Sequence, residues 1–203
     1  MQKPPAPIPE TPVPVLQLFR DTGAYLTGHF RLTSGLHSPE YLQCALVLQY
    51  PHRAAELGAM LAEKLGHLVQ EQISMVVSPA LGGLIIGHEV ARALNIRFIF
   101  TERDANGRMA LRRGFSVSPG ETAVVVEDVI TTGGSTRDVV EVLQAAGARP
   151  LAAGSIIDRS GGRADVGVPR VALGTLEVTT YDPAACPLCA QSIPVAKPGS
   201  RPA

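Results

Sequence analysis

Val124-Val125-Val126-Glu127-Asp128-Val129-Ile130-Thr131-Thr132-Gly133-Gly134-Ser135-Thr136 is the stretch on which the reading of this chain turns. The β-branched run from Thr122 to Val126 fits a strand buried on both faces, as strands of a parallel sheet are. Such sheets bind ligands beyond the carboxyl ends of their strands. Thr131 to Ser135 are small residues that let the backbone curl closely, so that amides converge on an anion where the next helix begins. Glu127 and Asp128 cannot hold phosphate, but carboxylates accept hydrogen bonds from sugar hydroxyls and gather Mg2+. Acids beside an anion hole point to a polyol phosphate. An ordinary N-capped helix would use Asp128 or Ser135 to satisfy local amides, and would not need two adjacent acids at the strand end.

Two other phosphate loops do not fit. A Walker A loop needs Lys and Ser/Thr after its last glycine, whereas Gly133-Gly134 leads into Ser135-Thr136-Arg137. No G-x-G-x-x-G follows a strand at this point either. A second loop, Ser78-Pro79-Ala80-Leu81-Gly82-Gly83, sits at the end of another predicted strand and offers amides to a second anion. A plain strand-to-helix turn is the alternative there.

Around these loops the units alternate. The pattern predicts a helix carrying Ala54, Leu57, Leu61, Leu65 and Leu68, then strand Ile73 to Val77, helix Leu84 to Leu94 and strand Arg97 to Phe100. A polar loop from Thr101 to Arg113 follows, then strand Thr122 to Val126, a helix from Ser135 to Ala146 closed by Gly147, and strand Ala152 to Ile157. Strands and helices taking turns give an α/β fold, a parallel central sheet flanked by helices. Before it, a short helix from Val15 ending near Gly23 and a strand or hairpin over Tyr25 to Leu32 form a small N-terminal hood. Residues 1–14, with Pro4, Pro5, Pro7, Pro9, Pro12 and Pro14, read as a mobile arm. Residues 15–203 read as one domain, its hood built from 15–50 and, depending on whether Ala190 to Ala203 folds back or dangles, from the tail.

Composition removes several function classes. With 18 basic and 18 acidic residues among 203, no global field favours nucleic acid or an anionic membrane. No apolar stretch approaches a bilayer span and Met1 to Pro14 lacks a signal-peptide core, so the expected location is the cytoplasm. The three cysteines, Cys44, Cys186 and Cys189, are too few for a secreted disulfide framework. Cys186-Pro187-Leu188-Cys189 has the spacing of half a zinc site, but no second pair follows it. Two free thiols are the expectation, with a metal bridging two subunits or a redox disulfide left open.

The Val124 to Thr136 segment resembles the phosphoribosyl pyrophosphate motif of type I phosphoribosyltransferases. Four further segments make the chain similar to the orotate branch of that family: Gly28 to Tyr41, Ser78 to Gly83, Leu111 to Phe115, and Asp158-Arg159-Ser160-Gly161-Gly162. The resemblance implies transfer of phosphoribose from phosphoribosyl pyrophosphate to orotate, with Mg2+ as cofactor and a homodimer as the working form. It places the sugar phosphate on Glu127, Asp128, Val129, Ile130, Thr131, Thr132, Gly133, Gly134 and Ser135. Pyrophosphate falls to Ala80, Leu81 and Gly82, whose loop in this family carries a cis peptide near Ala80-Leu81, and to Arg103. Orotate falls to Arg159, Thr131 and Tyr41. The catalytic set it implies is Asp128, Glu127 and Arg103.

The chain departs from the family in places. Gly82 and Thr33 stand where many members have Lys, with Lys197 or Arg31 as stand-ins for the second. The 101–113 loop lacks the His and every Lys of the better-known form, Arg103 standing at one Lys position, and leaves Arg103, Arg108, Arg112 and Arg113 to neutralise pyrophosphate. Those departures are the support for a rival reading, a phosphoribosyl pyrophosphate-sensing regulator without transferase activity. A second rival, transfer to a purine or other base, makes less use of the Arg159 fork.

Overall fold

The structure, a computed structural model, describes residues 15–32 and 34–198. The proline-rich arm, Thr33 and residues 199–203 lie outside the described residues, and so do the expectations that fall on them.

A six-stranded sheet forms the centre. In chain order its strands are β3 (Met75–Pro79), β4 (Arg97–Arg103), β5 (Met109–Leu111), β6 (Thr122–Ile130), β7 (Arg149–Asp158) and β8 (Arg170–Thr175). They lie in the order β5-β4-β3-β6-β7-β8, and every pair is parallel except β4 with β5. From β3 the chain first builds outward through β4, then returns to lay β6 on the other side. The order therefore reverses between β3 and β6, and the crevice above that point is where an open α/β sheet receives its ligand.

Alternation along the central strands splits the core in two. Val124 and Val126 of β6 face one layer with Val76, while Ala123 and Val125 face the other with Met75 and Val77. The first layer is covered by α3 (Pro51–Leu68) and α4 (Gly83–Leu94), the second by α5 (Gly134–Ala145). Helix α3 begins with proline at its first position, where the missing amide costs nothing, and buries Leu57, Leu61 and Leu65 completely. Each such leucine contributes roughly 2–3 kcal/mol of burial. Helix α5 ends as expected at Gly147, whose φ of +84° lets the chain turn back while Ala148 N–H bonds Leu143 O.

The hood is a separate two-stranded sheet, β1 (Tyr25–Arg31) paired antiparallel with β2 (His37–Leu42), preceded by α1 (Val15–Asp21) and followed by α2 (Cys44–Leu48). After β8 the chain forms a 3-10 turn (Pro183–Ala185) and a short helix α6 (Pro187–Ala190) and then folds back onto the hood. Tyr181 and His37 exchange backbone hydrogen bonds of 2.8 and 2.9 Å. Arg31 N–H donates to Ala196 O and Ala196 N–H to His29 O, both at 2.8 Å. The described part of the tail is thus docked, and β8, which the sequence reading missed, completes the sheet edge.

One expectation is corrected. The stretch from Thr101 to Arg113 is not a free polar loop: β4 runs on to Arg103 and turns into β5, so the segment is a β-hairpin extending from the sheet edge. Asp104 explains the turn, since its Oδ1 accepts from Asn106 N–H at 2.8 Å and Arg108 N–H at 2.9 Å, with Gly107 at φ +75°.

Candidate active site

Both predicted anion loops flank the β3/β6 crevice. After β6, Gly133 takes φ +80°, and helix α5 starts with no side chain capping it. The amides of the first helical turn have no intrahelical partners, so they and the positive end of the helix are directed at whatever occupies the turn. Thr131 and Thr132 are exposed there and Ser135 half-buried. Gly133 is required twice over: its φ is left-handed, and an added Cβ would lie 2.8 Å from Val166 Cγ1. Gly133→Ala is expected to cost about 1–3 kcal/mol of stability, measured by urea titration, and to weaken capture of a sugar phosphate as the turn deforms.

After β3, the Ala80–Leu81 peptide is cis, as the family resemblance implied. Leu81 is 68% exposed beside the crevice, and Ala80 N–H is held by Thr101 O at 2.8 Å. Gly82 lies against the other loop, because a Cβ there would come within 2.6 Å of Asp128 Oδ1. The Lys that the family resemblance leads one to expect at this position has no room for its stem while Asp128 keeps this rotamer. Ser78 Oγ, buried at the strand end, has no hydrogen-bond partner among the described residues.

The paired acids occupy different environments. Glu127 Oε2 accepts from Thr136 Oγ1 at 2.5 Å, so the buried threonine in the first turn of α5 positions this carboxylate. Asp128 stands between the two loops, its Oδ1 accepting from Val129 N–H at 2.8 Å. Burial pushes its carboxyl above the ordinary range, against the opposing pull of backbone amides. Two hard carboxylates suit Mg2+, which fills most of its shell with water and substrate phosphate rather than with a protein cage.

On the base side, β6 and β7 end in register at Ile130 and Asp158, and Arg159 N–H bonds Ile130 O at 2.8 Å. That register sets Arg159 beside Thr131. Desolvation pulls the Arg159 guanidinium below its usual value, and its buried Nε has no hydrogen-bond partner among the described residues. Tyr41 of β2 reaches the same place: burial and then the Asp128 carboxylate push its phenol up, with Arg159 pulling the other way. Its ring packs 5.8 Å from that of Phe30. Cys44, buried beneath, feels the same pair, and burial drives its thiol well up. The structure thus brings Asp128, Arg159, Thr131 and Tyr41 to one crevice.

Asp158 is not the partner of Arg159. It is buried and accepts from Ser160 N–H (2.7 Å), Ser160 Oγ (2.6 Å) and Arg170 Nη1 (2.5 Å). Desolvation raises its carboxyl, but the bonds from Ser160 and Arg170 win and hold it below the ordinary range. Its stabilising contribution is therefore full above the unfolded-state value and is lost as pH falls through the depressed folded one. Asp158→Ala strands the half-buried Arg170 guanidinium and should cost about 1–3 kcal/mol near neutral pH. Denaturant midpoints across pH check this, with the gap between variant and parent narrowing in acid.

Arg103 stands apart from the other predicted site residues. It bonds Asp138 Oδ2 on α5 at 2.9 Å and Gly107 O at 2.7 Å. Arg113 forms a fork on Glu102 at 2.7 and 2.8 Å. Reading the sequence missed Thr136 and Arg170, and Arg170 is marked only by a partner that folding brings near. For Thr136 the signal was available: it lies one turn beyond the glycines that place Glu127 within reach.

Residues 46–172 match the family model described as a phosphoribosyl transferase domain. The chain is 53% identical over 187 residues to an orotate phosphoribosyltransferase of Pelotomaculum thermopropionicum, covering 92% of this chain and 96% of that one. An orotate phosphoribosyltransferase of Thermotoga petrophila is 50% identical over 188 residues, 92% of this chain and 98% of the relative. The crystal structure of orotate phosphoribosyltransferase from Aeropyrum pernix superposes with a TM-score of 0.65 at 27% identity, over 80% of this chain and 94% of that one. On the match of motif, fold and sequence together, the chain belongs to the phosphoribosyltransferase family, within its orotate phosphoribosyltransferases.

Proposed function

We propose that this protein joins orotate to the phosphoribosyl group of phosphoribosyl pyrophosphate, giving orotidine 5'-monophosphate and pyrophosphate. The observation that carries the reading is Arg159, a half-buried guanidinium whose buried Nε has no partner among the described residues, set beside the α5 phosphate turn and within electrostatic reach of Tyr41. A planar fork in that position suits a carboxylate on a flat base lying next to a sugar phosphate. A regulator or a purine transferase would have less use for it.

The bond between orotate N1 and ribose C1' forms as the C1'–oxygen bond breaks, the electron pair leaving with pyrophosphate and the N1 proton being lost. Positive charge develops on the ribose in between. No covalent nucleophile is required; the chain works by positioning and by charge. The amides from Thr131 to Ser135 hold the 5'-phosphate. Glu127 and Asp128 hold the ribose hydroxyls and set negative charge near the developing cation. The Ala80 to Gly82 turn directs amides at pyrophosphate, and Arg159, Thr131 and Tyr41 orient orotate. Glu127 and Asp128 would hold Mg2+ together with substrate oxygens, and the ion would supply charge neutralisation to the pyrophosphate.

The working form is a homodimer in the cytoplasm, in one domain spanning 15–203. The β4–β5 hairpin carries Arg103 toward the pyrophosphate of a neighbouring copy, for which Arg103 has to release Asp138. No helix among the described residues is long and apolar enough to cross a membrane. Mixing the purified protein with orotate, phosphoribosyl pyrophosphate and Mg2+ and following orotate absorbance tests the activity. A fall with orotate and none with adenine or hypoxanthine is expected; unchanged absorbance with sugar pyrophosphate still bound would instead mark a sensor.

A further inference from the structure

The cysteines of the tail are not alone. Cys186 and Cys189 come together with His29 of β1 and His37 of β2, and one ligand atom from each lies within 4.8 Å of all the others. The Sγ of Cys186 is 3.6 Å from His29 Nε2, the Sγ of Cys189 is 3.8 Å from it, and Cys189 Sγ is 3.3 Å from His37 Nδ1. Around a tetrahedral zinc with Zn–S near 2.3 Å and Zn–N near 2.05 Å, sulfur and nitrogen stand about 3.6 Å apart. The two ring nitrogens, at 2.8 Å, need to part by only about 0.5 Å to reach the separation that the same tetrahedron sets.

The surroundings fit a metal and not a chance meeting. His29 Nδ1 lies 2.7 Å from Ile193 O, an acceptor only, so that nitrogen carries the proton and Nε2 turns its lone pair inward. Fixing a histidine's tautomer through its far nitrogen is the usual outer support of a metal ligand. His29, His37 and Cys186 are buried, whereas Cys189 is exposed, which leaves one way in for an ion. A Cys186–Cys189 disulfide would leave two buried imidazoles converging on nothing. Two soft sulfurs with two imidazoles favour zinc over the hard, oxygen-seeking Mg2+ of the transfer reaction.

We propose that His29, His37, Cys186 and Cys189 form a structural zinc site that staples the C-terminal segment to the hood. The ligands come from β1, β2 and the α6 turn, beside the backbone bridges from Tyr181 and Ala196. The same β2 carries Tyr41 into the crevice, so the staple also fixes the floor from which that ring projects. The second ligand pair that the C-x-x-C reading lacked lies upstream, across the hood hairpin.

The test uses the full chain, reduced and reconstituted with zinc, then dialysed against excess Mg2+. About one zinc per chain is expected to remain, and close to none in Cys186→Ser/Cys189→Ser. Cobalt in place of zinc should give the wild type an intense thiolate-to-metal charge-transfer band and tetrahedral ligand-field bands. Stripping the metal should lower Tm by at least about 5 °C and open the tail to protease. Zinc well below one per chain, a cobalt spectrum without thiolate bands, or isolation of the chain with Cys186 and Cys189 disulfide-linked under reducing conditions would each overturn the proposal. Should the double variant fail to fold, the wild-type cobalt spectrum decides. Metal content and spectrum are read without turnover, so failure here is distinct from failure of the transferase reading.

Discussion

Asp128→Asn lowers kcat/KM for phosphoribosyl transfer about 10³-fold and leaves the fold at least as stable as the parent. The first half follows from position: Asp128 stands between the two anion loops, and only its charged form both accepts from ribose hydroxyls and opposes the charge that develops on the sugar. Loss of one such group from a water-poor site typically costs two to three orders of magnitude or slightly more. The second half follows from the sign of its pKa shift. Burial raises the Asp128 carboxyl, so the folded state binds a proton more readily than the unfolded one, and stability falls as pH rises through that window. Near neutrality the charge is held at a cost that Asn removes, while Asn Oδ1 still accepts from Val129 N–H. Activity of the parent should fall as pH drops through the raised value, and this acid limb should vanish in the residual rate of the variant. Steady-state kinetics and thermal denaturation from one preparation check both halves; a variant that is active, or one that is markedly less stable, contradicts the assignment.

That opposition between stability and turnover at Asp128 also bears on what the sequence could reveal. The β6 strand, its two acids and the small-residue turn are contiguous, and contiguous patterns are legible because strand burial, backbone freedom and the start of a helix are local physics. The α3 stripe was readable for the same reason, down to Leu57, Leu61 and Leu65. Illegible features depend on residues distant in sequence. Asp158 with Arg159 reads as an adjacent pair, yet Asp158 turns to Arg170, which arrives with a strand whose residues are only half-buried and so show no apolar alternation. The hairpin over Arg97 to Leu111 hides because its polar residues find partners only on folding: Glu102 with Arg113 just beyond it, Arg103 with Asp138 of α5, and Asp104 with its own turn. The His29 and His37 pair is invisible beside Cys186-x-x-Cys189 because more than a hundred residues separate the two halves in the chain, and only the docking of the tail on the hood unites them.

Arg159→Ala should separate recognition of the base from capture of the sugar. The fork is desolvated before orotate arrives, with its Nε unpartnered, so the carboxylate would supply what the fold withholds. A bidentate charge-assisted pair in such a place is worth far more than a surface ion pair, and removing one half of it typically costs 2–5 kcal/mol. The expected result is a loss of about 10²–10³-fold in kcat/KM for orotate, with phosphoribosyl pyrophosphate binding by calorimetry nearly unchanged because the α5 turn and the Glu127–Thr136 contact are untouched. Arg159→Lys keeps the charge but loses the planar fork, and should recover only a small part of the activity. Its recovery would be full if the residue served simply as a positive charge. Stability should not suffer in the Ala variant, since a guanidinium whose burial disfavours its charge contributes little to holding the fold. Equal losses toward both substrates would instead mean that Arg159 braces the crevice, and the proposal of orotate as the acceptor would lose the observation on which it stands.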